Sequence, residues 1–373
     1  MSRGRFHLFS TRSALPYARK VVSELESIVE SQSVDMGEER SLTDEQRLEF
    51  LKEIRESSLH VGDVRVQHFR DGEMNADLGS ENVRDRDVFL FQAPYTTTNG
   101  RTLSENLFET FVLADALNHA KARSVTLVSL YYPYGRGDKQ HGKGGIPAAM
   151  YANMLSSVGV DGMVTFDFHA DQIAGFFPKD MKIENLRASP LLIDYIRTNL
   201  KGASVCAPDA GAGKRTQYYA KELGVDATFA YKRRSYSVDH EVDELWLPGS
   251  PENKGLVLIV DDMIASGGTI VKLMDLLKEK GVERAYAVAT HPLLIDPAVE
   301  DFDALYADPD HPFEGLVTTD SILHDDSILS RPWYHGVDTS RFIAKALYEI
   351  HTSGSLTQLH DPNCVERLGL RVE

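Results

Sequence analysis

Short apolar segments alternate along this chain with longer segments whose apolar residues recur every three or four positions. The short segments are rich in β-branched residues, which is typical of parallel strands buried on both faces. They predict strands at residues 64–69, 88–92, 125–132, 163–168, 204–207, 227–231, 256–260 and 284–290. Helical periodicity between them predicts crossover helices, so the fold class should be α/β with parallel sheets flanked by helices.

Two of the predicted helices have readable ends. The helix at residues 103–121 begins after Thr102, which can form a capping box with Glu105. The helix at residues 270–280 ends before Gly281, a residue suited to the left-handed position that follows a helix. Strand, helix and strand recur on both sides of residue 185, so we predict two α/β domains, residues 1–185 and 186–373.

One segment does not follow this alternation. Residues 23–58 are dense in Glu and Asp, and we interpret them as an acidic insert in the first domain. Leu48, Leu51 and Ile54 have the spacing of a short amphipathic helix. Such a helix can be a solvated surface element or a site for a partner, and the sequence leaves both readings open.

The charge and composition of the chain exclude several classes of binding partner and location. The 373 residues carry a formal net charge of −16, whereas nucleic acid and anionic membrane surfaces both require a basic footprint, so neither is expected as a partner. No run of about 18 apolar residues could span a bilayer, and residues 1–20 lack the apolar core of a signal peptide. Cys206 and Cys364 fit no metal-ligand spacing. We therefore expect a cytoplasmic protein in which local sites bind any phosphate.

The strongest local site follows the predicted strand at residues 256–260. Asp261 and Asp262 come directly after it, at the edge where ligands of open α/β sheets bind. The next loop offers two glycines and the hydroxyls of Ser266 and Thr269 before a helix begins, which suits an anion. A ribose phosphate fits both features, because the loop would bind its phosphate and the two carboxylates would accept hydrogen bonds from its hydroxyls.

Four other segments carry candidate chemistry. His169 emerges after a predicted strand and suits either a structural role or a metal or phosphate role. Residues 131–150 collect basic side chains, Arg136 among them, in a glycine-rich loop suited to a polyphosphate or to solvent. Phe69, Asp71 and Glu73 alternate and would share one face of an extended segment, which suits a purine, although an edge strand and turn is an equally open reading. Asp209 follows a strand and suits a metal or a ribose.

Two of these segments resemble known signatures. Residues 256–270, LVLIVDDMIASGGTI, resemble the phosphoribosyl-diphosphate-binding signature of the type I phosphoribosyltransferase fold, which is found in transferases that consume the diphosphate and in synthetases that make it. Residues 164–177, VTFDFHADQIAGFF, resemble a signature of the ribose-phosphate pyrophosphokinase family that phosphoribosyltransferases lack. Matching segments occur in family order from about Phe69 to Leu347.

The resemblance implies two type I phosphoribosyltransferase-like domains and a specific reaction. The β,γ-diphosphoryl group of ATP would pass to the anomeric hydroxyl of ribose 5-phosphate, giving phosphoribosyl diphosphate and AMP, with Mg²⁺ as the cofactor. In this family the segment matching residues 66–75 reaches the adenine site of a neighbouring subunit. The resemblance therefore also implies a homo-oligomer, hexameric or built from dimers.

The resemblance also implies a role for individual residues. The expected ligands of ribose 5-phosphate are Asp261, Asp262, Ser266, Gly267, Gly268 and Thr269. The expected ligands of ATP are Phe69, Asp71, Glu73, Arg136 and Asp138. The expected ligands of Mg²⁺ are His169 and Asp209, and the expected catalytic cations are Lys232 and Arg234.

Three alternatives remain at this point. The chain departs from the family at Gly137, where glutamine is usual, so the nucleotide or the ribosyl phosphate acceptor could differ. A regulatory paralogue without activity would keep the fold and bind an active synthetase. A phosphoribosyltransferase would share the loop at residues 263–269 but would have no reason to keep the segments around His169 and Phe69.

Overall fold

The computed structural model describes residues 5–32, 52, 59–235, 242–248, 251 and 254–371. Contacts divide the chain into two compact units. The first unit comprises Met1–Arg187, Thr339–Asp361 and Leu370–Glu373, and the second comprises Ala188–Asp338 and Pro362–Gly369. The division after Arg187 lies close to the predicted boundary at residue 185. Thr339–Asp361, however, group with the first unit, whereas the sequence-based division placed them in the second domain.

The described residues form strands whose bounds are as follows: β1 Arg5–Ser10, β2 Arg65–His68, β3 Met74–Asp77, β4 Arg86–Gln92, β5 Ser124–Ser129, β6 Gly162–Phe166, β7 Lys182–Leu186, β8 Ser204–Ala207, β9 Ala227–Phe229, β10 Tyr231–Ser235, β11 Val242–Trp246, β12 Val257–Ile264, β13 Ala285–Pro292, β14 Phe313–Thr319 and β15 Tyr334–Val337. Each unit contains one larger sheet. Its order is β1-β4-β5-β6-β7 in the first unit and β15-β14-β13-β12-β8-β9 in the second. All neighbouring strands in both sheets are parallel, so the predicted α/β class is confirmed.

The helices lie between these strands along the chain, and the last two follow β15: α1 Leu15–Gln32, α2 Leu103–His119, α3 Pro147–Ser157, α4 Ser189–Asn199, α5 Gly213–Leu223, α6 Gly268–Glu279, α7 Ala298–Ala307, α8 Asp326–Leu329, α9 Ser340–His351 and α10 Cys364–Arg367. The predicted capping box at the start of α2 is present, since Thr102 and Glu105 exchange side-chain and backbone hydrogen bonds. Among the described residues, no helix is both long and apolar enough to cross a membrane.

Helices cover both faces of the first sheet. On one face, Val88 and Leu90 of β4 belong to a core that includes buried residues of α2 and α3. On the other face, the ring of Phe166 lies 6.0 Å from that of Phe342 in α9, and the ring of Phe91 lies 6.4 Å from that of Tyr17 in α1. Because both faces are buried, this sheet can offer polar side chains to a ligand only at its edges and strand ends.

Helix α1 changes the interpretation of the acidic segment. Residues 23–32 form the second half of α1, in which Leu25, Ile28 and Val29 are buried. Glu24 Oε2 accepts a hydrogen bond of 2.7 Å from Nη1 of Arg341 in α9. This part of the predicted insert is therefore a core helix. The helix predicted around Leu48, Leu51 and Ile54 lies outside the described residues.

The second sheet is also covered on both faces. Val257 and Ile259 of β12 share a core with α6 and α7, whereas Leu258 and Val260 share a core with α4 and α5. Successive residues of a strand point to opposite faces, so an uninterrupted apolar sequence is required here. Strands β10 and β11 form a separate antiparallel ribbon.

Candidate active site

The two adjacent aspartates lie within a strand rather than after it. The sequence predicted that the strand ends at residue 260, but β12 continues to Ile264 because β13 still pairs with it, with Asp261 opposite Ala289 and Met263 opposite His291. The connection to α6 is therefore shorter than the predicted loop at residues 263–269. Asp262 is buried, Asp261 is half-buried, and the backbone N–H of Asp262 donates to Oδ1 of Asp261 at 2.8 Å.

Burial makes this carboxylate pair electrostatically unfavourable in the free protein. Burial, followed by the negative charge of Asp262, raises the pKa of Asp261 to about 8. Arg215 opposes this effect, and its Nη1 lies 3.6 Å from Oδ1 of Asp262. Sequence reasoning did not place Arg215 in the site. Its position in the sequence could have indicated this role, because Arg215 lies in the helix that follows β8, and β8 is the strand beside β12.

The start of α6 follows within three residues of the end of β12. Gly267 adopts φ of 74°, and a Cβ there would lie 3.1 Å from Cζ of Phe302, so both conformation and space require glycine. Helix α6 then begins at Gly268, followed by Thr269 in its first turn. The first N–H groups of a helix lack intrahelical partners and favour anions. Ser266, Gly267, Gly268 and Thr269 thus lie at one helix end that is compatible with an anion, and this helix begins two residues before the predicted start at residue 270.

Asp209 lies at the same edge of this sheet. Cys206 of β8 pairs with Ile259 of β12. Asp209 comes three residues after Cys206, and Asp262 comes three residues after Ile259. Oδ1 of Asp209 accepts from the backbone N–H groups of Gly211 at 2.8 Å and Ala212 at 3.2 Å. These bonds hold the carboxylate in one orientation at the end of the strand.

The first unit has its own cluster at the carboxyl ends of β5 and β6. His169 is exposed three residues after the end of β6. A Cβ at Gly135 would lie 3.3 Å from Cβ of His169, so the basic loop contacts the histidine segment. Nε2 of Gln172 donates a hydrogen bond to Oδ2 of Asp138, and Arg136 is exposed nearby in sequence. Segments identified separately in the sequence therefore meet here.

Gly137 is explained by close packing. A Cβ at this position would lie 2.9 Å from Cδ of Pro147, the first residue of α3. The backbone N–H of Gly137 donates to the carbonyl of Tyr134, and the N–H of Ala148 donates to the carbonyl of Gly137. The departure from the family's glutamine therefore creates no extra space, because Pro147 fills the volume that a side chain would take.

Phe69, Asp71 and Glu73 lie at the exposed tip of the β2–β3 hairpin. Of the two readings of this segment, the structure shows the strand and turn, because the N–H of Gly72 donates to the carbonyl of Phe69 and closes a turn. Oδ1 of Asp71 accepts from the N–H of Glu73 at 3.1 Å. The Phe69 side chain is 43% exposed, which leaves its ring accessible to a ligand.

Glu109 of α2 supports the base of this hairpin, and sequence reasoning missed it. Its buried carboxylate accepts from the N–H of Arg12 at 2.7 Å and from Nη1 of Arg101 at 2.8 Å. The guanidinium of Arg12 in turn donates to the carbonyl of Val66 in β2 at 2.6 Å. A buried carboxylate needs such paired charges and hydrogen bonds to be stable.

Lys232 and Arg234 lie on β10, which pairs with β11 so that Lys232 is opposite Leu245 and Arg234 is opposite Asp243. The side chains of residues 232–235 lie outside the described part of the chain, as do residues 236–241 between the two strands. Their catalytic role stays a prediction.

Family models match most of the chain. Residues 6–159 match a model described as the N-terminal domain of ribose phosphate pyrophosphokinase. Residues 185–304 match a phosphoribosyl transferase domain, and residues 251–361 match a phosphoribosyl synthetase-associated domain. These ranges contain Asp209, the carboxylate pair in β12 and the basic loop at residues 131–150, whereas His169 lies between the first two ranges.

Individual relatives agree with these matches. The ribose-phosphate pyrophosphokinase of Ralstonia nicotianae is 36% identical over 278 residues, covering 74% of this chain and 83% of that protein. That of a Marinomonas species is 34% identical over 310 residues, covering 82% and 93%. The crystal structure of phosphoribosylpyrophosphate synthetase from Mycobacterium smegmatis has a TM-score of 0.74 at 27% identity and covers 94% of this chain and 100% of its own. This likeness confirms the predicted type I phosphoribosyltransferase-like fold.

The packing at Gly137 predicts a local stability effect. Gly137→Ala should lower the free energy of unfolding by about 1–3 kcal/mol, because its Cβ would overlap with Pro147. Gly145→Ala in the same loop is the matched control, since nothing lies within 4 Å of its Cβ position. Urea denaturation of both variants measures the difference. Equal stability of the two would contradict close packing at Gly137.

The carboxylate pair predicts a pH-dependent stability. Because the folded state retains a proton on Asp261 where the unfolded state has lost it, stability falls as pH rises from about 4 towards about 8. Asp261→Asn removes the ionisable group, so the variant should melt about 2 °C or more above the wild type at pH 8, with a smaller gap at pH 5. Asp226→Asn, at an exposed position in the same unit, is the control. A lower melting temperature for Asp261→Asn at pH 8 would refute the effect.

Proposed function

The chain belongs to the ribose-phosphate pyrophosphokinase family, and we propose how its residues divide the work of that reaction. It is a ribose-phosphate diphosphokinase of nucleotide biosynthesis, which transfers the β,γ-diphosphoryl group of ATP to the anomeric hydroxyl of ribose 5-phosphate. The products are phosphoribosyl diphosphate and AMP. One observation carries our division of roles, the carboxylate pair in β12 followed directly by the N-terminus of α6.

We assign ribose 5-phosphate to this edge of the second sheet. The 5-phosphate accepts hydrogen bonds from the helix end formed by Ser266, Gly267, Gly268 and Thr269, where the helix dipole favours a negative charge. Asp261 and Asp262 accept hydrogen bonds from the ribose hydroxyls. Such donors would offset the burial that raises the pKa of Asp261.

Mg²⁺ is the cofactor that we propose, with Asp209 and His169 as its protein ligands. The Asp209 carboxylate fits this role because Mg²⁺ prefers oxygen ligands and because two backbone N–H groups already orient it. The exposed imidazole of His169 would be the second protein ligand. When bound, the ion neutralises charge on the phosphate oxygens during transfer.

We assign ATP to the first unit. Arg136 binds the polyphosphate, and Asp138 holds the basic loop against Gln172. The adenine ring would stack on Phe69 at the hairpin tip, with Asp71 and Glu73 accepting from its amino group. We propose that this hairpin acts on the ATP of a neighbouring subunit in a homo-oligomer, hexameric or built from dimers.

Lys232 and Arg234 are the proposed catalytic cations. Transfer of a diphosphoryl group requires in-line positioning and neutralisation of developing charge more than covalent help. Two cations on β10 can provide both for the transferring group. The acceptor is ribose 5-phosphate itself in this proposal, because the packing of Pro147 against Gly137 removes the argument for a bulkier substrate.

A direct assay tests the function. Purified protein with ATP, Mg²⁺ and ribose 5-phosphate, without any nucleobase, should yield AMP and phosphoribosyl diphosphate in equal amounts, identified by mass. Asp261→Ala with Asp262→Ala should abolish the product. A phosphoribosyltransferase would release no AMP, and a regulatory paralogue would form no product from any member of a panel of ribosyl phosphates.

A double substitution tests the catalytic cations. Lys232→Ala with Arg234→Ala should lower kcat by at least about 100-fold, because both act on the transition state. Binding of ribose 5-phosphate, measured by calorimetry, should change by less than about threefold. Arg233→Ala, which removes the cation between them in sequence, is the matched control. A comparable loss of sugar-phosphate affinity in the double variant would refute the division of roles.

A further inference from the structure

A second group of metal-ligating side chains lies in the first unit, apart from the residues assigned above. We call His7, His60 and Glu81 the His–Glu cluster, and its candidate ligand atoms all lie within 4.8 Å of one another. His7 lies on β1, His60 on the segment before the β2–β3 hairpin, and Glu81 on the loop after that hairpin. Three separate segments thus converge on one point. We propose that the cluster binds a divalent transition-metal ion of the Zn²⁺ class.

The distances suit a small ion. Nε2 of His7 lies 3.3 Å from Oε2 of Glu81, and Nε2 of His60 lies 3.8 Å from Oε1 of Glu81. A tetrahedral ion with bonds of about 2.1 Å places its ligand atoms about 3.4 Å apart. Small rotations of the exposed His60 ring would complete three coordination bonds.

His7 supports the proposal independently of these distances. Its side chain is only 8% exposed, yet neither ring nitrogen has a hydrogen-bond partner within the described part of the chain. An unsatisfied buried polar group costs about 1–3 kcal/mol. Its Nε2 lies near the Glu81 carboxylate without the geometry of a hydrogen bond. A cation between them would satisfy both.

The protonation state of His7 is the one that a metal requires. Burial, followed by the positive charge of Arg86, lowers the pKa of His7 to about 4, although Glu81 acts in the opposite direction. Coordination of a metal requires the neutral imidazole, which this environment favours. Glu81 supplies the negative charge that offsets Arg86.

Backbone contacts hold the other two ligands in place. Val61 pairs with Leu8 of β1, and the N–H of Gly62 donates to the Leu8 carbonyl at 2.7 Å, which fixes the segment that carries His60. The N–H of Asp63 donates to Oε1 of Glu81 at 2.9 Å and so orients the carboxylate. Support of this kind by outer partners is typical of metal sites.

The ligand types select the ion. Two imidazoles and one carboxylate favour Zn²⁺ and neighbouring first-row ions, whereas sites for Mg²⁺ consist mainly of carboxylate, phosphate and water oxygens. His60 and Glu81 also flank the β2–β3 hairpin in sequence, so the ion would fasten both ends of the hairpin to β1. If the proposed function holds, this hairpin carries the adenine contacts, and the ion would stabilise its base.

Metal binding to the full untagged chain tests the proposal. The protein is stripped with EDTA and titrated with Co²⁺ in excess Mg²⁺, which occupies oxygen-rich sites. We expect one Co²⁺ per chain with visible absorption of low coordination number, displaced by Zn²⁺. His60→Ala and Glu81→Gln should each weaken Co²⁺ binding by at least about 100-fold, since loss of even an outer partner costs 10–100-fold. His60 is exposed, so its variant should fold.

His119→Ala is the matched control, because His119 is an exposed histidine of the same unit beside a carboxylate, 3.4 Å from Asp115. It should bind Co²⁺ like the wild type, and Zn²⁺ should raise the melting temperature of both but not of His60→Ala. Binding that is unchanged in His60→Ala and Glu81→Gln would overturn the proposal. Loss of the spectrum in His169→Ala alone would also overturn it, by assigning the ion to the catalytic site. Because the readout is spectroscopic, failure of the diphosphokinase assay would not affect this result.

Discussion

The extended pairing of β12 with β13 is the constraint on which the second unit depends. Because β13 continues to Pro292, β12 remains a strand through Asp261 and Asp262, and both carboxylates enter a sheet that is buried on both faces. In a solvated turn these groups would be ordinary acids. At the carboxyl end of the sheet, burial and the charge of Asp262 oppose ionisation of Asp261, and Arg215 compensates only in part. If these residues bind a sugar as we propose, its hydroxyl donors would offset this cost at the same two residues.

The first unit reaches a similar arrangement by different means. Its polar groups lie on loops after β5 and β6, and the loops hold each other through Gln172 and Asp138 and through the rings of Tyr132 and Phe168, 5.1 Å apart. Gly137 allows the basic loop to approach α3. A polyphosphate chain is long and variable in conformation. Exposed cations on a loop that these contacts hold in place suit such a ligand better than buried carboxylates would.

The β2–β3 hairpin is the part of the first unit whose position depends on distant residues. Glu109 and Arg12 hold its base from one side, and the His–Glu cluster lies at its two ends in sequence. A two-stranded hairpin is marginally stable alone, so these contacts determine where its exposed tip lies. The tip residues Phe69, Asp71 and Glu73 need such support if they are to act on a ligand of a neighbouring subunit.

The sequence by itself determined the parallel α/β class, the bounds of β8, the capping box of α2 and the anion-compatible start of α6, because each depends on local periodicity or on one turn of backbone. It did not determine that β12 extends through the aspartates or that residues 23–32 are core helix, and it left open whether Phe69–Glu73 form a turn. These depend on β13, on α9 and on hydrogen bonds across the turn. Arg215, Glu109 and the His–Glu cluster could be found only in the tertiary structure, since their partners lie tens of residues away and no local pattern specifies such pairs.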